Sequence, residues 1–457
     1  MNQIEKLSEF ILNLELDRVP KEVVNASKYC VLDSFGAAVG ASKDQLIIDI
    51  VNEYIKLYPS QGDADVWGFN HQLPFIQAAF LNALMGHRLE LDDVHTKSKT
   101  HIGTVVVPTA IALAQHLKSS GKEFLEAVIC GYEVMSRIGM AFGVSSHRNK
   151  GWHVTSTAGT FGAAAAAAKL MTLNYEQTVY ALGMAGTQSF GVWAFLGDSA
   201  SSKILHPARA AVSGIEAAIL AKSGMTGPSR ILDASDGGLF QAMSDDYDLS
   251  QVSNNLGLKY EILNVDNKPY PCCRSTHCAI DSALYLKDKH AIDNDLIEKI
   301  EVDTYLVGYK QCGTTEGSIN PVTPTDAKFS TPYTIAEILV HGKITLDSFK
   351  TESIKNPKVQ ELLKKITVKP NGTFTERYPD HWGCKTKIIM KDGTVLEVEI
   401  KDALGSVANP ITEKDIKNKV EPLLAVAYKD ATTITDILLS IDKVESFSQI
   451  SFNNNGV

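Results

Sequence analysis

Residues 156–170 read STAGTFGAAAAAAKL, and almost none of these side chains has any bulk. On a helix, such a surface lets the backbones of neighbouring helices approach closely. The chain on either side of it, from Met1 to about residue 260, has the same character: segments such as 124–138 and 175–183 carry apolar residues at three- and four-residue intervals, with Gly or Pro between them. We therefore predict an all-helical domain in which the Ala-rich helix is a packing device.

After Lys268 the pattern changes. Residues 300–307 and 385–391 have strand-like composition, and the KDGT turn at 391–394 leads into the alternating strand 395–400. Helical stretches such as 332–339 lie between them. This part of the chain is predicted to be an α+β segment of about 140 residues, which is a usual domain size.

Helical patterning returns from residue 412 to 441, so the last helices are able to rejoin the first domain. The tail SFSQISFNNNGV is polar and is expected to fray.

The 457 residues include 44 basic and 53 acidic side chains, giving a net charge of −9. This balance disfavours a general electrostatic attraction to nucleic acid or to an anionic membrane, so any anion-binding site must be local. The N-terminus lacks the pattern of a signal peptide. The longest uncharged apolar run, around residues 158–168, is too short to cross a bilayer. A cytoplasmic protein is therefore expected, and its seven cysteines are expected to be free buried thiols.

Four clusters of polar residues lie beside predicted helix starts. In the first, HRLELDDVH at 87–95 followed by THIG at 100–103, five titratable groups fall within twelve residues: Glu90, Asp92, Asp93, His95 and His101. Such an arrangement suits a general acid–base pair with tuned pKa values. The alternative is a solvated helix end.

The second cluster places His153 just before the Ala-rich helix, with hydroxyl residues available as the N-cap. In the third, Pro207 is a good first helical residue, which leaves Lys203 and His206 in the approach to a helix. A structural histidine and a surface lysine are the alternatives at these two places.

The fourth cluster, KPYPCCRSTH, runs from Lys268 through Arg274 to His277 and opens a helix, with Ser275 or Thr276 as N-cap. Helix N-termini carry partial positive charge and unpaired N–H groups, so each of the last three clusters is able to receive an anion. Together they predict a site for several carboxylates.

Metal and nucleotide sites are disfavoured by the motifs. The cysteines at 272, 273 and 278 crowd around His277, but adjacent cysteines do not readily serve one tetrahedral ion, and the sequence has no second CxxC and no HExxH. It also lacks a strand–GxGxxG–helix order, a Walker pattern and a GxSxG nucleophile elbow. We predict that the site contains no metal.

In this order and spacing the clusters resemble the MmgE/PrpD family across nearly the whole chain. The matching segments are LDSFGAAVG, LNALMGHRLELDDVH with THIGTVVVPTAIALA, GWHVTSTAGTFGAAAAAAKL, KILHPARAAVSG, KPYPCCRSTHCAIDSAL, TPTDAKFSTPYTIA and RYPDHWGCKTKIIMKDG. The resemblance implies a mainly α protein: a large helical domain formed by residues 1–264 and 405–457, and a smaller α+β lid domain formed by residues 265–404. It also implies a homodimer and a site between the domains, without metal or organic cofactor.

The resemblance also assigns residues. Carried over by motif, the catalytic residues are His101, His153, Lys203 and His277, with Asp93 able to fix a histidine tautomer. The substrate-binding residues are expected to be Glu90, Asp92, His95, Lys268, Arg274 and His206. The substrate would be a small polycarboxylate, and no nucleic acid or membrane partner is expected.

The acidic loop, which runs from Glu90 to His101, departs from the family pattern. The motif D-x-D-D-T reads Glu90-Leu-Asp-Asp-Val94 here, and H-P-S-G or H-P-S-D after the loop becomes His101-Ile-Gly. These changes alter the pocket lining, so three hypotheses stay open: a dehydratase or decarboxylase of a citrate- or aconitate-like acid, an epimerase of an iminodisuccinate-type dicarboxylate, and a non-catalytic carboxylate-binding protein. Both kinds of enzyme would have to stabilise negative charge on a carbon next to a carboxylate, which clustered cations are suited to do.

Overall fold

The computed structural model describes residues 1–59 and 62–452 and is mainly α-helical. The chain divides into two compact units. The first contains residues 1–193, 202–266 and 412–457, and the second contains residues 194–201 and 267–411. The predicted boundaries at 264/265 and 404/405 lie two and seven residues before those of the two units, and residues 194–201 belong to the second unit rather than to the first.

Within the described residues, the first unit opens with thirteen α-helices, most of them joined by short connections. They are α1 Gln3–Asn13, α2 Lys21–Gly40, α3 Gln45–Leu57, α4 Phe75–Gly86, α5 Gly103–Leu117, α6 Gly121–Ala141, α7 Val144–Asn149, α8 Val154–Thr157, α9 Gly159–Leu170, α10 Tyr175–Thr187, α11 Leu205–Lys222, α12 Leu239–Met243 and α13 Ser250–Ser253.

Most of the Ala-rich segment forms α9, which packs against α5, α6, α10 and α11, in agreement with the packing role predicted for it. A Cβ added to Gly162 would lie 2.8 Å from Met135 Cβ on α6, and one added to Gly214 on α11 would lie 2.4 Å from Ala163 Cβ. No Cβ fits at such distances, so the small side chains set how closely the helices approach.

Two pairs of very short strands interrupt the helices. The prediction that this domain is all-helical was therefore wrong in this detail. β1 Ala64–Asp65 pairs with β2 Gln72–Leu73, and β3 Val94–His95 pairs with β4 Val265–Asp266, both antiparallel. The β3–β4 pair connects the acidic loop, which follows α4, to residues 265–266, where the chain leaves the first unit.

The second unit contains a four-stranded sheet and eight helices. The strands are β5 Ile297–Thr304, β6 Ile366–Pro370, β7 Cys384–Met390 and β8 Val395–Ile400. The helices are α14 His277–Lys289, α15 Leu306–Cys312, α16 Glu316–Ile319, α17 Pro324–Lys328, α18 Thr331–His341, α19 Thr351–Ile354, α20 Pro357–Leu363 and α21 Gly372–Arg377.

The strand order is β6-β5-β7-β8, with β5 and β6 parallel and the other pairs antiparallel. Strand β8 has the predicted bounds and β7 is displaced by one residue. Strand β5 begins three residues earlier than predicted, and β6 was not predicted. The hydrophobic core of the second unit is formed by residues of α14, α18 and α20 together with residues of the sheet.

The chain returns to the first unit with α22 Glu413–Leu424 and α23 Ala431–Leu439. Helix α22 packs on α2, where Val420 leaves no space for a side chain at Gly36. The tail was expected to fray, but Phe447 and Phe452 are buried and Phe452 N–H donates to Asp65 at 2.6 Å. Two aromatic anchors therefore dock the described part of the tail, and the rest of that segment, 453–457, lies outside the described residues.

One helical stretch, Ser201–Lys222, is long and apolar enough by length and composition to cross a membrane. It is longer than the run at 158–168 singled out above. Because 72% of its window is buried and α11 packs on α4, α9 and α10, it has the character of a core helix. None of the seven cysteines, all of which lie in the described residues, forms a disulfide bond, and six are buried, as expected.

Candidate active site

The acidic loop joins α4 to α5 and is almost entirely buried, so its polar groups need partners within the protein. Lys419 on α22 supplies one of these contacts: its Nζ lies 2.8 Å from the carbonyl oxygen of Leu91, and it also lies 2.5 Å from Asp33 Oδ1 on α2. Glu90 and Lys99 both have a φ of +58°, a backbone conformation that is uncommon for side chains other than Gly, Asn and Asp. The loop is therefore held in a specific shape by contacts that are distant in sequence.

The Asp93 side chain is fully buried and connects the acidic loop to α5 and α6. The Gly103 N–H and the Tyr132 hydroxyl donate to its two carboxyl oxygens at 2.9 and 2.7 Å. Burial, together with the nearby Asp33 and Asp92, raises the pKa of Asp93 to about 7, although the Tyr132 hydrogen bond opposes this shift. The carboxyl group of Asp93 thus fixes the start of α5.

Asp92 carries the contacts to histidines that the sequence had assigned to Asp93. Its Oδ2 lies 2.7 Å from His87 Nδ1 and 3.1 Å from His101 Nδ1. His101 Nδ1 also lies 2.8 Å from the backbone oxygen of Asp93, which can only accept. His101 Nδ1 must therefore carry a proton, and a neutral His101 presents a basic Nε2.

His153 and His206 form a second pair, with their Nδ1 atoms 2.7 Å apart. One Nδ1 must donate and the other accept, so the two rings hold opposite tautomers. Burial lowers the pKa of His206 to about 4, helped by His87 and Lys203. Burial, followed by His206 and Lys203, places the pKa of His153 well below its usual range. Both rings are therefore neutral near pH 7.

Lys203 contacts the Glu90 carboxylate, and both side chains are buried. Lys203 lies in the 3-10 turn Ser201–Ile204 that precedes α11, so Pro207 is the third helical residue rather than the first. The N-cap expected for the Ala-rich helix is also absent: His153 is the N-cap residue of the short helix α8 and makes no side-chain capping bond, and the hydroxyl residues lie inside that helix.

The His87–His101 pair, whose members both contact Asp92, lies close to the His153–His206 pair. The His87 ring is 4.8 Å from that of His101 and 6.2 Å from that of His153, measured between centroids. The His101 N–H also donates to Thr155 on α8 at 3.1 Å. We call the side chains of His87, Asp92, His101, His153, Lys203, Glu90 and His206 the histidine cluster. It brings together six of the eight site residues predicted in this unit.

Asp93 and His95 are the two that lie elsewhere. His95 Nδ1 lies 2.8 Å from Ser98 Oγ and its Nε2 lies 3.1 Å from Glu261, so neither ring nitrogen is left for a substrate in this arrangement. These contacts connect the loop to the segment before β4. The substrate-binding role predicted for His95 has no support in this geometry.

The remaining predicted residues belong to the second unit. Lys268, Arg274 and His277 are buried, and His277 is the first residue of α14. Thr276 is the N-cap residue but makes no side-chain capping bond. The His277 ring lies 5.1 Å from that of Tyr270, and its Nε2 lies 3.4 Å from the Cys272 oxygen.

His87 was missed as a candidate. It follows an apolar helix, and its Nδ1–H donates to Asp92, which leaves a basic Nε2 that has no hydrogen-bond partner within residues 1–59 and 62–452. The available signal was its position five residues before Asp92, at the end of a helix that is otherwise apolar.

Across the described residues, one set of three side chains has donor atoms close enough to hold a metal ion: His87, Asp92 and His101. Two imidazoles and a carboxylate suit Zn²⁺. However, the Asp93 carbonyl requires a proton on His101 Nδ1, so the observed contacts form a hydrogen-bonded set rather than a ligand geometry. Metal independence stays a prediction.

Comparison with known proteins covers almost the whole chain. The model of the MmgE/PrpD N-terminal domain matches residues 5–252, and the model of its C-terminal domain matches residues 270–443. The chain is 29% identical over 467 residues to the Homo sapiens cis-aconitate decarboxylase (98% of this chain, 91% of the relative) and 24% identical over 466 residues to that of Aspergillus terreus (96% and 93%). It is 21% identical over 425 residues to the mitochondrial 2-methylcitrate dehydratase of Yarrowia lipolytica (88% and 79%).

Proposed function

The chain belongs to the MmgE/PrpD family, and from that membership we propose that it is a lyase that removes CO2 or water next to a carboxylate of a small polycarboxylic acid. The observation that carries the proposal is the neutral His153–His206 pair beside the buried Lys203 and the Asp92–His101 pair. The two histidines are neutral bases and Lys203 is a cation, and all three side chains are buried from solvent.

The chemistry follows from these groups. In decarboxylation a C–C bond breaks, CO2 leaves, and the electron pair stays on carbon and spreads onto the neighbouring carboxylate. A buried Lys203 ammonium stabilises that charge more strongly than it would in water. A histidine N–H then delivers a proton to carbon and is reprotonated from solvent water, so the net reaction consumes one proton and needs no other reactant.

Dehydration needs the same residues in a different order. A neutral histidine Nε2 removes the proton from the carbon next to the carboxylate, and a second group protonates the leaving hydroxyl. Decarboxylation is our first choice, supported by relatives named decarboxylases that match over nearly their full length, whereas the dehydratase match covers less of the chain.

We test the reaction by incubating the purified protein in deuterated water with cis-aconitate, 2-methylcitrate and related acids, followed by NMR. Loss of CO2 with deuterium on the product carbon is expected. Loss of water would identify the dehydratase. Deuterium exchange with inversion but no loss would reject a lyase in favour of the epimerase, and no change in any acid would favour a non-catalytic binding protein.

The site assignment has its own test. His153→Asn should lower turnover at least about 100-fold, the usual scale for a missing acid–base group. His116→Asn is the matched control because His116 is exposed and paired with Asp63 at 2.7 Å. Nearly normal turnover by His153→Asn would exclude this cluster as the reaction centre.

A further inference from the structure

The two ring nitrogens of His87 have unlike surroundings. His87 is fully buried at the end of α4, where its Nδ1 lies 2.7 Å from Asp92 Oδ2. Its Nε2 is buried as well, and no group in the described part of the chain forms a hydrogen bond with it. A buried nitrogen without a partner destabilises a fold, so a group that persists in this state is a candidate for contact with a ligand.

A second buried histidine of this unit has both nitrogens satisfied. His147 Nδ1 lies 3.1 Å from the Met243 carbonyl oxygen, and its Nε2 lies 2.9 Å from the Thr157 hydroxyl. Its ring stacks on that of Phe142 at 4.1 Å between centroids. These are the contacts of a structural histidine, and the open Nε2 of His87 differs from them.

Asp92 contacts His87 more closely than it contacts His101. Its Oδ2 lies 2.7 Å from His87 Nδ1 but 3.1 Å from His101 Nδ1, whose proton also has the Asp93 carbonyl oxygen at 2.8 Å. Within the described residues, Asp92 is the single acceptor for the His87 Nδ1–H. A carboxylate on Nδ1 fixes the tautomer and stabilises the imidazolium that forms when Nε2 takes up a proton. Asp92 and His87 therefore form an acid–base dyad.

A positive charge is held more easily on His87 than on the His153–His206 pair. Burial first, and the charge of His87 second, lower the pKa of His206 to about 4. The His87 ring, in contrast, has a carboxylate against Nδ1. Its centroid lies 4.8 Å from that of His101 and 6.2 Å from that of His153. A substrate in contact with these two rings is therefore within reach of His87.

We propose that His87, paired with Asp92, is the general acid of the site. The inference rests on the proposed function, which leaves that group unassigned. In decarboxylation the Nε2–H bond of a protonated His87 breaks as a C–H bond forms on the carbon that lost CO2, and the neutral ring regains a proton from solvent. In dehydration the same proton goes to the leaving hydroxyl, which departs as water, while a neutral histidine takes the proton from carbon.

Replacement by asparagine separates this role from a structural one, because the amide keeps a donor near the position of Nδ1 while Nε2 is lost. His87→Asn should lower kcat at least about 100-fold with little change in KM. His147→Asn is the matched control, since the same change at a structural histidine should reduce stability and leave kcat nearly unchanged. Asp92→Asn added to His87→Asn should cost little more. A full additional loss would show that Asp92 acts through His101 and would overturn the dyad.

The fate of the proton gives a second measurement. In deuterated water the wild-type decarboxylase should place deuterium on one face of the product carbon. The residual product of His87→Asn should carry deuterium on both faces, because water then protonates carbon without direction. For a dehydratase, an analogue with fluoride in place of the hydroxyl needs no proton on its leaving group, so His87→Asn should convert it almost as fast as the wild type does.

The outcomes separate this inference from the proposed function. Nearly normal turnover by His87→Asn, or deuterium on one face only of its product, would overturn the general acid while leaving the lyase intact. A dehydratase in which His87→Asn slows the fluoride analogue as much as the hydroxy acid would do the same. A wild-type protein that converts none of the acids would instead reject the proposed function, and the inference with it.

Discussion

His153 Nδ1 and His206 Nδ1 lie 2.7 Å apart, so a proton on one nitrogen excludes a proton on the other. His206 thereby determines whether His153 presents Nε2 as a base or Nε2–H as an acid. To reverse both tautomers, the shared proton must move from one Nδ1 to the other while the Nε2 of the first ring gains a proton and the Nε2 of the second ring loses one, with no change in total charge.

Replacing His206 tests this relationship. His206→Phe leaves the buried His153 Nδ1 without its partner and should lower kcat about 100-fold with little change in KM. His206→Asn keeps an amide that can donate a hydrogen bond to His153 Nδ1 or accept one from it, and this variant should retain part of the activity. Steady-state kinetics decide the point, and equal activity of the two variants would show that His206 acts only by filling space.

The pH profile should reflect the lowered pKa values. In the dehydration described above, a histidine removes the proton from carbon, and it can act as this base only when it is neutral, that is, above its pKa. Because the pKa of His206 is about 4 and that of His153 is well below 6.5, kcat/KM should persist through pH 6.5 and fall only as pH approaches 4.

An acid limb centred near the ordinary histidine value of 6.5 would contradict this expectation. Asp93, with a pKa of about 7, titrates in the same range, so the profile is measured in Asp93→Asn as well. A limb that disappears in this variant belongs to Asp93 and not to the histidines.

The contact between Glu90 and Lys203 should matter for stability as well as for catalysis. Glu90→Gln removes one partner of a buried ion pair and should reduce the free energy of unfolding by about 3 kcal/mol. Adding Lys203→Met should cost less than the two single changes together, because the second change removes the charge left without its partner. Urea unfolding of the four proteins checks this, and additive losses would mean that the pair is not coupled.

The packing of the Ala-rich helix gives a prediction that is independent of chemistry. Gly214→Ala places a methyl group 2.4 Å from Ala163 Cβ and should cost about 1 to 3 kcal/mol of stability. Gly372→Ala is the control, because nothing lies within 4 Å of its added Cβ. Equal unfolding free energies for both variants would show that α9 and α11 have room to separate.

The sequence predicted those parts of the fold that depend on local pattern. Strand β8 alternates regularly after a KDGT turn, and α10 begins at the predicted Tyr175. Strand β6 was missed because Val368 is its only buried residue, which leaves no alternating signal, and because its parallel partner β5 is distant in sequence. The docked tail was missed for a similar reason: the burial of Phe452 depends on Asp65 and Phe35, far away in the chain.

The same distinction applies to the candidate site. The family pattern selected His101, His153 and Lys203, which the structure brings together. It did not select His87, since the contacts of this residue with Asp92 and His101 depend on which segments of the fold meet. It also assigned a tautomer-fixing role to Asp93, whereas the backbone oxygen of Asp93 and the carboxylate of Asp92 make those contacts.

The contact of Lys419 with the Leu91 carbonyl spans 328 positions. During synthesis the acidic loop is therefore made long before Lys419, and this contact forms only after nearly all of the chain has emerged from the ribosome. A chain truncated before α22 would therefore contain the whole histidine cluster but would lack one of the contacts that hold the acidic loop.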